Sequence, residues 1–531
     1  MIAHGTFSLK SAENNLKNLK MKKLLYITLI AFGIGLFASS CYDDDSTLDV
    51  NAIPDITLDT TGVATLTVYQ FENLKVIPEL DHQGLSESEL EYEWKINLEP
   101  NDTIYEVVGN ERDLDFLVEF KPNLSGNFHQ LVYTVTNTRT NLDHIFAWPV
   151  KVLNNIGEGL VVAHTEDGAT TDISHIMSPS VTPDYEDVSV KHNVYSAING
   201  STIPGITKQM RYTKLGRDDV MFGITETSIY TINTLDYTFG GSNGDLFYAE
   251  RSNYEPQALG GVNQGDLYLA NGTITSTYLG ASTKIGLPFD SDFTAPDIIA
   301  ANGVSNPIVV ISFYDEVNGQ FVYQPSVTPF GDNTMYATPN SPSGAFDPTT
   351  QPGYVNLAAG VSTTGEFMHL LKNNGTGEVA LFTFDEGVSG FPTPEAPKPI
   401  AKFDLTGAPG IDEAENFAFL DDQKVMYYAT STKVYAVLYG TATPTIEERY
   451  TVPSGETITT LQVYRQADYP VRFSGEYMPL NNKALIMSTF DDTTGRVYLL
   501  PYINTGIGNI DTPNIEIFSG FGKITAIATQ L

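Results

Sequence analysis

The sequence predicts an all-β chain in which an immunoglobulin-like sandwich precedes a β-propeller of about seven blades. Three observations predict it. Residues 60–155 alternate apolar and polar side chains with a period of two, and residues from Gly157 onward repeat one hairpin pattern seven times. No stretch sustains the 3.6-residue period of an amphipathic helix. At 531 residues the chain is long enough to bury a core for each part.

At the N-terminal end, Lys22 and Lys23 precede an apolar run from Leu24 to about Ala38, closed by the small residues Ala38, Ser39 and Ser40. That is the order of a secretory signal, and Met21, directly before the lysines, is the expected start. The run is shorter than the roughly 20 apolar residues that span a bilayer. Cys41, the one cysteine of the chain, follows at once. Small-small-Cys resembles the lipobox of bacterial lipoproteins, with Ala38 standing where Leu is usual. The resemblance implies acylation of the Cys41 sulfur and a lasting anchor, since each buried CH₂ contributes about 0.8 kcal/mol. With a single cysteine no internal disulfide is possible, so an exported chain of this kind must rely on its cores.

Asp43, Asp44 and Asp45 open an acidic stretch that continues through Asp49, Asp55 and Asp59 with no basic residue before Lys75. By composition this is a solvated spacer. Acidic residues directly after a lipidated cysteine also resemble the surface-export signal of Bacteroidota lipoproteins, which implies the extracellular side of the cell outer membrane. The formal charge is −35. Taking the five lysines and one glutamate of residues 1–40 from the 29 basic and 64 acidic residues leaves −39. Such a chain repels nucleic acid and anionic headgroups.

The expected divisions are a signal peptide over 1–40, a tether over 41–59, a sandwich over 60–155 and a propeller over 156–531. In "EYEWKINL", Tyr92, Trp94, Ile96 and Leu98 share one face of a strand. "LVYTVTNTRTN" repeats the pattern with Leu131, Tyr133 and Val135, and "HIFAWPVKVLN" with Phe146, Trp148, Val150 and Val152. About a hundred residues so built make a sandwich with Trp94 in its core, and Pro149 places the last strand at an edge. The "YEW" strand, the later "YTVTNTRTN" strand and their position after an acidic tether resemble the PKD-like family of Bacteroidota surface lipoproteins. That resemblance implies a larger all-β region downstream. By analogy alone it also implies service to a TonB-dependent transporter of the SusC type with its SusD-like lid.

The seven hairpins start at Leu160, Val220, Asp266, Ile308, Phe367, Val425 and Leu485, at spacings of 60, 46, 42, 59, 58 and 60 residues. Their turns read "ANGT", "EVNGQ", "NNGTG" and "DDTTG". A lone hairpin is not stable, and this spacing leaves room for two more strands per unit, which describes propeller blades. The terminal "FGKITAIATQL" supplies a strand to close the ring on the first blade. Two Pro- and Gly-bearing segments, from Val327 and from Phe391, read as long loops.

No catalytic motif stands out. His164 and His175 flank Glu166, Asp167 and Asp172, a combination able to hold a metal or move a proton, yet "TEDGATTD" is also what a hairpin turn looks like. His369 sits in the apolar strand "FMHLL" and reads as a core or channel-facing residue rather than a ligand. Asp290 with Asp292, and Asp491 with Asp492, offer oxygens of the kind Ca²⁺ takes, without the spacing of a calcium loop. No other cofactor is expected. Carboxylate pairs for glycoside hydrolysis would come from different blades and so leave no linear motif. Both tryptophans fall in the first domain, and Tyr314, Tyr336, Tyr354 and Tyr427 near turns or loops are the candidate ligand contacts.

The functional expectation is a non-enzymatic surface lipoprotein that binds a peptide or glycan, or docks on a SusC/SusD-type importer, raising the local concentration of nutrient. The alternatives are a surface hydrolase or lyase acting on the same polymer, and an adhesion or scaffold protein.

Overall fold

The computed structural model describes residues 55–531 except 59–64, 121, 124–126, 154, 217, 264, 278–282, 287, 290–291, 306, 326–333, 390–394, 472–475 and 504. The leader, Cys41, Asp43, Asp44, Asp45 and Asp290 therefore lie outside the described residues. Among those described, no helix is long and apolar enough to cross a membrane.

The chain divides into two compact units. The smaller includes Pro78–Glu91 and Val135–His144. Within it Thr57–Leu58 pairs antiparallel with Leu80–Asp81, and Leu85 is buried. Ser86 and Glu89 form a capping box on the short 3-10 turn Glu87–Glu89. The Ser86 N–H donates to the Glu89 carboxylate at 3.0 Å and Arg139 reaches it at 3.1 Å. Both contacts hold Glu89 below its usual carboxylate range.

The larger unit takes Thr60–Ile77, Tyr92–Thr134 and Ile145–Leu531. The N-terminal sandwich has a five-stranded sheet that runs Leu66–Tyr69, Leu142–Leu153, His129–Asn137, Leu90–Asn97, Tyr105–Gly109. Asn73–Val76 pairs with Leu114–Leu117 as a second sheet. Period-two burial is plain in His129–Asn137, where Leu131, Tyr133 and Val135 are fully buried between more exposed neighbours. Trp94 is fully buried and stacks on Tyr133 at 3.9 Å, and its indole N–H donates to the Glu111 carbonyl at 2.9 Å.

The edge position expected of the strand carrying Pro149 is corrected. Leu66–Tyr69 pairs parallel with residues 150–153, so Leu142–Leu153 is an inner strand of the sheet. The proline is tolerated because that pairing starts only at Val150, one residue later.

After the sandwich come seven sheets, each holding one of the seven hairpins. Their innermost strands are Lys523–Gln530, Gln209–Leu215, Pro256–Val262, Ala300–Ala301, Tyr354–Val361, Asn416–Phe419 and Thr457–Val463, taken here as blades 1 to 7. Each inner strand touches the next, and Thr457–Val463 and Gln209–Leu215 both touch Lys523–Gln530. The ring is thus closed by the C-terminal strand, which pairs antiparallel with Gly159–Thr165. Apolar clusters between adjacent blades hold it, such as Leu160, Val162, Ile486, Leu499, Ile524 and Ile527 between blades 7 and 1. In blade 3 the turn "ANGT" places Asn271 at φ 53° and Gly272 at φ 70°, the left-handed pair that a tight two-residue hairpin demands.

The two segments expected to be long loops each contribute an outer strand, Tyr336–Ala337 in blade 4 and Pro399–Asp404 in blade 5. Proline masked the second: Pro399 is the first residue of an outermost strand, where a missing N–H is tolerated. One short helix, Val194–Asn199, follows the outer strand Ser189–Lys191 of blade 1.

Candidate functional site

Burial separates the four candidate tyrosines. Tyr314 is fully buried and its hydroxyl donates to the Gln351 carbonyl; Tyr427 is fully buried between blades 6 and 7. Tyr354 is 5% exposed, with its hydroxyl bonded to Glu378 and to Lys402 Nζ at 3.0 Å. These three pack inside or between blades. Tyr336 is 36% exposed and lies 6.0 Å from the Tyr323 ring. Ligand contact expected of Tyr314, Tyr354 and Tyr427 gives way to packing, because rings on alternate positions of four-stranded blades face the neighbouring blade.

The acidic turn of blade 1 serves itself. Asp167 accepts from the Ala169 and Thr170 N–H groups, both at 2.8 Å, which hold its carboxyl down at about 2. Asp172 accepts from the Ile173 and Ser196 N–H groups at 2.8 and 3.1 Å. Asp491 is bonded in the same way within its own turn and to Arg496 at 2.8 Å. No group of three or more His, Cys, Asp or Glu among the described residues is arranged to hold a metal ion.

The histidines are core groups. His164 accepts the Gly522 N–H on Nδ1 at 3.2 Å and therefore carries its proton on Nε2, 2.8 Å from Ser174 Oγ. His369 Nε2 lies 2.9 Å from Ser312 Oγ. Neither ring nitrogen of His175 has a hydrogen-bond partner among the described residues. Burial holds His164 down at about 4 and both His175 and His369 at about 3.

A pH dependence follows. Below the unfolded value near 6.5 the unfolded chain takes up protons that the folded chain refuses, so stability is complete above that value and falls with acidification. Between pH 7 and 5 each of the three histidines is expected to remove about 2 kcal/mol. Denaturant midpoints over that range should fall steeply, and His175→Leu should flatten the slope by about a third. An unchanged midpoint between pH 7 and 5 would contradict the buried neutral imidazoles.

The feature with room for a ligand lies at the axis. Inner-strand residues of blades 2 to 7 surround a cavity of about 390 Å³. Small residues are among those that line it, including Gly260, Gly261, Ala301, Ala359, Gly360 and Ala418. Two further recesses, of about 230 and 430 Å³, share Thr363 with it.

Two arginines enter this cavity. Arg465, just past the inner strand of blade 7, donates from Nε to Asp421 Oδ2 at 2.8 Å and from Nη2 to Asp421 Oδ1 and to the Phe419 carbonyl, the last at 2.9 Å. Arg211 in blade 2 donates from Nε to Asp266 Oδ1 at 2.6 Å, and Thr213 donates to Oδ2. Each pair ties two blades, 6 to 7 and 2 to 3. Burial pushes the Asp421 carboxyl up and Arg465 opposes it, while Asp421 raises the Arg465 guanidinium further. Gly261 gives Arg211 room to cross: a Cβ there would overlap the guanidinium, which would have to shift.

Neither arginine was singled out by sequence reasoning. The available signal was weak: an arginine on the alternating inner strand "QMRYTKL" and another two residues beyond the strand "TITTLQV", in a chain with few cations. Their convergence is a property of the ring.

Several solved structures are similar in fold only distantly. A quinoprotein alcohol dehydrogenase-like protein from Bacteroides thetaiotaomicron matches at TM-score 0.44 and 12% identity over 90% of this chain and 98% of its own. AztD from Citrobacter koseri matches at TM-score 0.35 and 10% identity over 82% of this chain and 98% of its own. The Cps50 (Swd1) β-propeller domain of Myceliophteria thermophila matches at 0.26 and 11% over 53% and 92%. No curated protein matches the chain in sequence. Residues 41–206 match the PKD-like family, a span that starts at Cys41 and runs through the sandwich to the end of the strand Ile203–Pro204 in blade 1.

Proposed function

We propose that this chain is a lipid-anchored protein of the cell surface whose propeller captures a peptide or glycan without chemistry, as an accessory to a SusC/SusD-type importer of the outer membrane. The axial cavity is the observation that carries the binding role. It is open and lined by both polar and apolar groups, an arrangement suited to holding a solute. The PKD-like match beginning at Cys41 supports a mature chain that starts there, with the lipid on its first residue. Capture close to the importer would raise effective concentration.

Cells grown with labelled fatty acid test the anchor. The wild-type chain is expected to carry label and Cys41→Ser to carry none, and mild detergent extraction should bring down a TonB-dependent porter with the wild type. Absence of label overturns the anchor. A chain that releases new ends from a candidate polymer, with no porter attached, overturns the accessory role in favour of a hydrolase or lyase.

A further inference from the structure

We infer that the axial cavity is a carboxylate-binding site in which Arg211 and Arg465 are the two donors. The inference rests on the capture role proposed above and names the chemistry of what is captured. Tying blades together uses only part of each guanidinium. Arg211 spends Nε on Asp266, and its Nη1 and Nη2 make no hydrogen bond among the described residues; Arg465 leaves Nη1 unspent. The two side chains stay 39% and 38% exposed although they line a cavity.

Their acidic partners are occupied. Both oxygens of Asp421 are taken by Arg465, and those of Asp266 by Arg211 and Thr213, so neither carboxylate is free to hold a cation. The same contacts fix the guanidinium planes with their remaining N–H groups unused. Arg211 keeps the Nη1–Nη2 edge of its plane, a fork that a carboxylate matches with two parallel N–H donors, and Arg465, whose Nε and Nη2 are spent on Asp421 and Phe419, adds Nη1 as a single donor. Phe417, Phe419 and Tyr469 stand in the same wall as the arginines. The overall negative charge of the chain keeps bulk anions away, so selectivity has to come from this short-range fit. A carboxylate of this kind is offered by the C-terminus of a peptide or by a uronate sugar.

Calorimetric titration of the full chain in detergent micelles decides the matter, with four probes: trialanine, trialanine amide, trigalacturonate and maltotriose. At least one acid is expected to bind ten-fold or more tightly than its neutral counterpart, and whichever acid does so identifies the source as peptide or uronate. The double variant Arg211→Gln with Arg465→Gln should lose ten-fold or more for that acid and little for the neutral probe. Arg465→Lys, which keeps the charge and loses the unspent Nη1, should fall between. Acid and neutral probes binding alike, or neither acid binding, overturns the inference. The comparison on the wild-type chain stands even where a variant fails to fold. Failure of the capture role is read separately, in cells, from label and porter.

Discussion

Deletion of residues 523–531 is expected to abolish cooperative folding of the propeller. The strand Lys523–Gln530 is the innermost of blade 1, paired in register from Gly159↔Gln530 to Thr165↔Lys523. Without it the strand Gly159–Thr165 becomes a bare edge, and the contacts that join blade 7 to blade 1 and blade 1 to blade 2 are lost. Ile524 and Ile527 leave the cluster shared with Val162 and Phe521; Ala526 and Ala528 leave the one around Tyr212 and Tyr230. Removing a buried Ile side chain costs about 2–5 kcal/mol, and two of them approach the roughly 5–15 kcal/mol that hold a typical domain.

Gln530 adds a polar lock. Its amide N–H donates to the Ile156 carbonyl and to the Gly157 carbonyl at 3.0 Å, and its oxygen accepts from the Tyr237 hydroxyl at 3.1 Å. All of this lies in the interior, so the partners left behind would be buried and unsatisfied. Circular dichroism during heating, with soluble yield as a second readout, measures the effect. A truncated chain that melts as sharply as the intact one, within a few degrees, would show that the ring does not depend on this closure.

The second large effect is Trp94→Ala, expected to cost about 3–5 kcal/mol of sandwich stability. Trp94 stacks on Tyr133 at 3.9 Å with the planes 18° apart and lies 6.1 Å from Trp148. Leu114 stands close by, both it and Trp94 within contact distance of a Cβ built on Gly109. Truncation empties the centre of this group and leaves the Glu111 carbonyl without the indole donor. Trp94→Phe, which keeps a ring and loses the N–H, should cost about 1–2 kcal/mol. Denaturant unfolding followed by the fluorescence of Trp148, the only other tryptophan, reports on the same core. A loss under 1 kcal/mol for the alanine variant would place the centre of the sandwich elsewhere.

Much of this architecture is local and was legible. Alternation in "EYEWKINL" and "LVYTVTNTRTN" put Trp94, Tyr133 and Val135 in a core, and each of the seven hairpins falls in one of seven blades. "FGKITAIATQL" read as the closing strand, and Lys523–Gln530 pairs with Gly159–Thr165 of the first blade. Histidine in "FMHLL" read as core or channel-facing, and His369 is fully buried. Such features depend on periods of two and on turn residues within a few positions of one another. Tyrosine was harder to place. A ring near a turn has the same sequence whether it faces solvent or the next blade, and Tyr314 and Tyr427 face the next blade.

What the sequence by itself determined is the all-β class, the order of sandwich and repeats, the count of hairpins and the strand that closes them, because each is written in side chains close together along the chain. Only the tertiary structure decided that Pro399–Asp404 is an outer strand, that the closing strand is the innermost of its blade, and that Arg211 and Arg465 enter one cavity. Those arginines are 254 positions apart and line one cavity because inner strands of successive blades are brought round a common axis. No local pattern encodes that placement; the closure of the ring does.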